Sequence, residues 1–429
     1  MSAHDRDDSK PLGAGRRSIE RRAIVVHAGL AVGFGIALIA RLAATSGAIA
    51  TDFTAFWTGW WLILHGQAGL LYDAAAQREA QQTLMAGFQF HGGLMAFLNP
   101  PHVALAGLPF GWLADHAGER VAFLVWTAGN LGLLVTLDRW LREAWGATTG
   151  PTRWLITTAL LAFYPVFQTL NIGQTSLLLG VSAMGLYRAV ASSQPLAGGA
   201  WLLALTVKPQ LMPAVLVFLL ARRCWRTIGY FAAMLLAAIV ATAAVLGTTI
   251  WTTYVIQLRA LEPYWGTGTP GHMRNVRGLL TRVVGSIGQP AIDATSFGVW
   301  IGGTLLVAGA LFAWRLHKAT DIRPGYSLAL AAGLLVSPHL FVQDVVVWTV
   351  PLTLYAAALR DAGQRWQPFA TFALSWPVLF AVGHFVDIRT GDPALSVESQ
   401  VAALIAATAL IAVGARRLAL SPRGTPSHA

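Results

Sequence analysis

Apolar runs and short polar turns alternate along most of this chain, but two early segments differ in kind. Ala23 to Ala40 is apolar except for His27 and follows Arg16, Arg17, Arg21 and Arg22, the pattern of an uncleaved helix that crosses a bilayer. Thr51 to Leu64 is periodic instead: Phe53, Phe56, Trp57, Trp60, Trp61 and Leu64 recur at i, i+3, i+4, i+7, i+8 and i+11. That spacing predicts an amphipathic helix lying in the membrane interface, with its rings at headgroup depth and Asp52 as its N-cap. Further spans are predicted at Val121 to Leu137, Trp154 to Thr169, Ser176 to Val190, Leu196 to Val207, Leu211 to Ala221 and Ile228 to Leu246. Five more follow, at Phe297 to Trp314, Tyr326 to Val336, Val342 to Leu359, Phe369 to Val386 and Val401 to Val413. With the first helix they make about twelve.

Charge gives an independent test of that count. Arg139, Arg142 and Arg153, then Arg188, then Arg222, Arg223 and Arg226, then Arg315, Lys318 and Arg323, then Arg360 and Arg365, and last Arg416 and Arg417 all fall on one side of a twelve-helix arrangement. Lys and Arg concentrate in cytoplasmic loops, so both termini are expected inside. The arrangement requires Asn99-Pro100-Pro101-His102-Val103 to Leu113 to enter the membrane face and return without crossing. Residues 43–120 then form one long external loop and residues 247–296 a second, within a single transmembrane domain over 23–416 flanked by cytoplasmic tails, 1–22 and 417–429. Shorter external turns hold Asn171-Ile172-Gly173-Gln174, Lys208-Pro209 and Ser337-Pro338-His339. Irregular backbone at membrane depth is tolerated where it lines a cavity, which makes these loops the place to look for a site.

Composition removes the soluble classes. With 55% hydrophobic and 11% charged residues, 17 Trp and a mean hydropathy of +0.57, the chain would expose far more apolar surface than a soluble domain tolerates. The net charge of +11 is spread over loops and termini, so it reads as topology rather than as a nucleic-acid surface. Cys224 is the one cysteine, which excludes an intramolecular disulfide and a cysteine metal site. No metal or other cofactor is expected.

Asp52-Phe53-Thr54 with Trp57, Leu70-Leu71-Tyr72-Asp73, Asn99-Pro100-Pro101 and Asn171-Ile172-Gly173-Gln174-Thr175 follow one another in a telling order. After them come Val207-Lys208-Pro209, Asn275-Val276-Arg277-Gly278-Leu279 and Ser337-Pro338-His339. Together they resemble glycosyltransferase family 87, the polyprenol-phosphate-mannose-dependent mannosyltransferases of the GT-C superfamily, over roughly Asp52 to Pro351. One departure is Phe56, near which family members often carry Tyr. The resemblance implies an all-α polytopic membrane protein of GT-C-type architecture, with interfacial and re-entrant helices in the first external loop. It further implies transfer of a sugar, mannose first, from a polyprenyl-phosphate carrier to a hydroxyl of a lipid or glycan acceptor, with inversion. The implied place is the extracytoplasmic face of a bacterial inner membrane, with membrane lipids and these substrates as partners, no nucleic acid, and a monomeric chain.

Inverting transfer needs one base and a way to stabilise the departing phosphate. Asp52 is the candidate base, the plain alternative being a helix cap. Lys208, His272, Arg274 and Arg277 are the candidate phosphate ligands. Lys208 sits between apolar runs, where an unpaired charge is costly, and Arg274 and Arg277, three apart, are expected to share a helical face. His339, at a helix break after Ser337-Pro338, would donate to phosphate or orient the base. Tyr72, Asn99, His102, Asn171, Gln174 and Asp344 complete the set as sugar or acceptor contacts, with Asp344 alternatively pairing with His339 or Lys208 and Asp73 read as a turn or cap. The competing functions are a transporter or flippase of a lipid-linked saccharide and a lipid-linked glycan polymerase or ligase. A transporter needs a polar path across the bilayer, whereas the polar residues here gather on one side.

Overall fold

The computed structural model describes residues 12–43, 51–85, 94–147, 149–261, 270–316, 321–391 and 394–420. Every regular element among them is helical. The first long apolar run forms α1 (Leu12–Ala43); α2 (Thr51–Leu64), α3 (Ala74–Leu84) and α4 (Pro101–Ala117) occupy the first long loop, and α5 (Glu119–Trp145) follows after a reversal at Gly118. Next come α6 (Gly150–Leu161), α7 (Tyr164–Ile172), α8 (Ser176–Ala191), α9 (Pro195–Leu205), α10 (Pro213–Ala221) and α11 (Trp225–Leu246). The second loop contributes α12 (Ile250–Leu261) and α13 (Val276–Val283), and the chain continues through α14 (Gln289–Leu316) and α15 (Arg323–Val336). A 3-10 segment, Val342–Trp348, leads into α16 (Thr349–Asp361), followed by α17 (Gln367–Leu374), α18 (Trp376–Thr390) and α19 (Ala394–Leu420).

Seven stretches among the described residues are long and apolar enough to cross a membrane, and α6 with α7, bent by 49°, would make an eighth. The expected twelve is not reached. Helices α8, α9, α10 and α15 hold 16, 11, 9 and 14 residues. At about 1.5 Å per residue even the longest of these falls short of a hydrocarbon core about 30 Å thick. Proline is one cause: Pro165, Pro195 and Pro213 open α7, α9 and α10, where their fixed φ is welcome but no preceding helix can run through them. The turns around Gln194 and Cys224 line one cleft, so α9 and α10 leave from and return to the same end of the molecule.

Loops grouped by their charge do meet at that end. Arg188 pairs with Glu143 at 2.8 Å, Arg323 with Asp361 at 2.6 Å, and Arg360 donates to the carbonyl of Trp145. At the other end of α5, Arg120 Nη2 donates to the carbonyl of Leu42, near the end of α1, at 2.5 Å.

Helix α2 departs from the interfacial reading. Phe53, Phe56, Trp57 and Trp60 are buried, but so are Thr54, Ala55, Thr58 and Leu62 between them. The positions between the rings are small or apolar, and the Thr58 hydroxyl is satisfied within the helix by the Thr54 carbonyl at 2.7 Å, so no face of α2 has to be wet. Phe53, Phe56 and Trp60 all lie within 6 Å of the Trp126 ring, at 5.9, 5.6 and 5.7 Å. Residues spread over two turns of α2 converge on one ring of α5, so the helices cross. On the other side the Trp60 indole lies over Gly107 of α4 at a distance no Cβ would permit. Asp52 stands in the first turn of α2, which begins at Thr51, and not at its N-cap. The Asn-Pro-Pro element likewise opens one continuous helix, α4, of 17 residues, and the chain reverses after it, at Gly118, where α5 begins.

Helix α3 fixes the approach to Asn99. Asp73 caps it, accepting from Ala76 N–H at 2.8 Å, and Gln77 and Gln81 then project from one face. Gln77 Oε1 accepts from Phe97 N–H at 2.7 Å while its Nε2 lies 3.4 Å from the Phe97 carbonyl; Gln81 does the same to Met95 at 3.0 and 2.5 Å. Two amides four residues apart thus hold alternate residues of an extended segment, as a neighbouring strand would.

Helix α5 has 27 residues, about 40 Å, long enough for its two ends to stand on opposite sides of a bilayer. In a Cys224→Ser background, a cysteine at Asp115 should react with an impermeant thiol reagent added to intact cells, and one at Arg142 should not. Equal labelling, or the reverse pattern, would refute this orientation.

Candidate active site

Gly173 follows α7 in the left-handed conformation, φ 76°, and lies against α2: a Cβ there would stand 2.7 Å from the Phe53 Cβ and 3.0 Å from the Phe123 ring. Glycine alone meets both demands. Its carbonyl accepts from Trp126 Nε1 at 2.9 Å, so α5 also holds the turn. The next residue, Gln174, donates from Nε2 to Asp52 Oδ2 at 2.6 Å. Two residues on, Ser176 Oγ donates to Asp344 Oδ1 at 2.6 Å, and Lys208 Nζ reaches the same oxygen at 2.6 Å. Residues 173–176 therefore touch both the candidate base and a buried ion pair.

That pair is among the least exposed charges of the molecule, with side chains 13% and 2% accessible for Lys208 and Asp344. Asp344 lies in the first turn of the 3-10 segment, and Lys208 precedes Pro209. Of the two partners considered for Asp344, it takes Lys208. The adjoining backbone gathers the first loop: Asn99 Nδ2 donates to the Val207 carbonyl at 3.1 Å, His102 Nε2 lies 2.8 Å from Thr206 Oγ1, and Tyr72 OH donates to the Asn99 carbonyl at 2.7 Å. The second loop joins through rings, with His102 and Trp251 stacked at 5.8 Å and Tyr72 and Tyr254 at 5.1 Å. Tyr72, Asn99 and His102 are thus engaged in locking the two long loops onto the Lys208 turn.

Asn275 caps α13, accepting from Gly278 N–H at 2.8 Å while its Nδ2 donates to the Ser337 carbonyl at 2.8 Å. Arg277, inside the helix, donates from Nε and Nη2 to Asp293 Oδ1 at 3.0 and 2.7 Å and brings Nη1 to 3.3 Å from His339 Nε2. Burial, followed by the nearby Arg277 and Lys208 charges, lowers the His339 imidazole well below its ordinary value, so it is neutral. With a guanidinium facing Nε2, that nitrogen is assigned as the acceptor and the proton to Nδ1.

Arg274 precedes the cap, so it does not share a helical face with Arg277. It donates from Nε to Gln400 Oε1 at 2.8 Å, from Nη2 to Ser396 Oγ at 3.3 Å and from Nη1 to the His272 carbonyl at 2.5 Å, with Asp387 at 3.6 Å. Its backbone N–H donates to the Leu340 carbonyl at 2.6 Å. Arg274 therefore ties this loop to α18 and α19, with the His272 carbonyl among its acceptors. Asn171 is partly exposed at the end of α7 and makes no side-chain hydrogen bond among the described residues. Sequence reasoning did not find Ser176, Asn275 or Asp293. The spacing of Ser176 from Gln174 and the cap position of Asn275 before α13 were the available signals; for Asp293 there was none. Among the described residues no three His, Cys, Asp or Glu side chains gather as a metal site would require.

A carboxylate anchored by an amide, a lysine and an arginine each set against a carboxylate, and a neutral histidine can together take a proton and receive an anion. The family model described as Glycosyltransferase family 87 matches residues 97–338, more than half of the chain. The matched stretch includes Asn99, His102, Asn171, Gln174, Lys208, His272, Arg274 and Arg277; Asp52, Tyr72, His339 and Asp344 lie outside it. Comparison with curated proteins and with solved structures gives no match.

Removing one member of a buried ion pair leaves the other charge unsolvated, at about 3–5 kcal/mol. Lys208→Met and Asp344→Leu should each lower the thermal unfolding midpoint of the detergent-solubilised protein, and the two together should lower it less than the worse single change. A double variant that loses the sum of the two single effects would show that the charges are not coupled.

Proposed function

The chain belongs to glycosyltransferase family 87, and on that premise we propose that this membrane glycosyltransferase moves mannose from a polyprenyl-phosphate carrier to an acceptor hydroxyl at the external membrane face. Asp52 is the base. The acceptor oxygen attacks the anomeric carbon as the bond to the phosphate oxygen breaks; the hydroxyl proton passes to Asp52, and the phosphate leaves with the bonding electrons. Attack from the side opposite the leaving group inverts the anomeric centre, and one carboxylate suffices for it.

The observation that carries this reading is the four-residue stretch 173–176, which meets Asp52 through Gln174 and the Lys208 pair through Ser176. A base and a cation fixed by one rigid turn suit a reaction in which proton acceptance and phosphate departure are concerted. Lys208 keeps two of its three ammonium donors beyond the one on Asp344, its charge is felt by the neutral His339, and Arg277 faces that histidine. We assign the leaving phosphate to Lys208, Arg277 and His339. Asp293, far more exposed than Asp344, is the carboxylate that phosphate would displace from Arg277. The contacts of Arg274 support an anchoring role instead, with His272 beside it.

Purified protein should consume a polyprenyl-phosphate mannose and glycosylate a lipid extract without a second compartment, which a flippase would not do. Asp52→Asn should lower turnover by about 10²–10⁴-fold with the unfolding midpoint nearly unchanged. Wild-type turnover in that variant would remove Asp52 as the base.

The two arginines separate the donor site from its support. Arg277→Ala should lower the donor-dependent rate by about 10–10²-fold, the loss of one charge-assisted hydrogen bond, with acceptor KM little changed. Arg274→Ala should chiefly lower the unfolding midpoint. The opposite pattern would move the phosphate to Arg274.

A further inference from the structure

Resting on Asp52 as the base, the geometry points to Gln174 as its positioning residue: the amide keeps the carboxylate ionised and fixes its rotation, and does not contact the sugar. The direction of the amide follows from its own partners. Its Oε1 accepts from the Thr175 backbone N–H at 3.2 Å, which leaves the NH2 group to face Asp52 Oδ2 at 2.6 Å. An ionised carboxylate only accepts, so the flipped amide would set oxygen against oxygen.

Both ends of this hydrogen bond are set by a single contact. Phe53 adjoins Asp52 and Gly173 adjoins Gln174, and these two neighbours pack so tightly that a Cβ on Gly173 would come within 2.7 Å of Phe53. Trp126 holds the Gly173 carbonyl, and the Gln174 backbone N–H donates to the Thr169 carbonyl at 2.9 Å. Neither α2 nor the 173–176 turn can shift without breaking that packing, so the amide is delivered to the carboxylate in advance. Hydrogen bonding to the charged form of a carboxylic acid favours that form, and a base must be ionised before it accepts a proton.

The titratable residues on the elements around α2 are Asp73, Arg78 and Glu79 on α3 and its cap, His102, Asp115 and His116 on α4, Tyr164 on α7, and Glu119 and Arg120 at the near end of α5, whose far end carries Asp138, Arg139, Arg142 and Glu143, besides His65 just after α2. They are the same in parent and variant, so a difference between the two profiles reports Gln174 alone. Gln174→Met keeps the length and removes the donor. Loss of a donor to the ionised form raises the pH at which the carboxylate protonates, so the acid limb of kcat/KM should move up by about one pH unit, a roughly tenfold loss below the limb, with donor and acceptor KM little changed.

Gln174→Glu sets a second carboxylate against Asp52, and its limb should move further up because the two must share a proton. An unmoved limb with a raised KM would assign Gln174 to substrate binding. An unmoved limb with unchanged KM and a lower unfolding midpoint would assign it to packing. Either result overturns the inference, and the Glu variant is read in the same way if Gln174→Met does not accumulate in the membrane. Failure of Asp52 as the base would be seen separately, as turnover surviving in Asp52→Asn.

Discussion

Lys208 and Asp344 meet at 2.6 Å where the side chains of both are nearly closed off from solvent, and the candidate site is arranged around the need to keep them together. Either charge alone would be poorly solvated there. The pair explains why three separate parts of the chain converge: the turn between α9 and α10 carries the lysine, the 3-10 segment after α15 carries the aspartate, and the start of α8 supplies Ser176 as the second donor to it. Backbone next to the lysine then receives Asn99, and its neighbour Thr206 receives His102, so the first long loop is registered against the same point. Short helices opened by prolines are the means by which these polar residues are carried into an otherwise apolar body.

A second requirement is close packing around α2. Rings from one face of this helix crowd Trp126, and Trp60 covers Gly107. A tightly held α2 leaves Asp52 little freedom, which a base needs if its carboxylate is to meet a hydroxyl in one orientation. Stability and chemistry draw on the same contacts here, since Phe53 is at once a core residue and the neighbour of Asp52.

Much of this was legible in the sequence. Apolar runs give the all-α membrane class, basic loops give the grouping of turns at one end, and the turns around Gln174, Lys208 and His339 do come together. Three things were not legible. The number of crossings comes out too high because short apolar runs such as Leu196 to Val207 and Leu211 to Ala221 count as spans, whereas the proline-opened helices there, of 11 and 9 residues, are too short to cross. The periodicity of α2 reads the same whether its other face meets water or protein; Thr54, Thr58 and Gly59 are small enough for either, and tertiary packing decided it. The separation of Arg274 from Arg277 turned on one residue, Asn275, whose side chain starts the helix between them. Pairings such as Arg277 with Asp293 leave no local trace.

Each cation of the candidate site is matched by a carboxylate, Lys208 by Asp344 and Arg277 by Asp293, while much of the chain's excess of basic residues lies in other loops. With the Asp52 carboxylate added, the resting site holds no excess of positive charge. An anion approaching within the bilayer would not be steered from a distance; it would be recognised only on arrival, by exchanging places with a carboxylate already present. Capture of that kind depends on how much of the anion the membrane holds and on local fit, and should be almost indifferent to ionic strength.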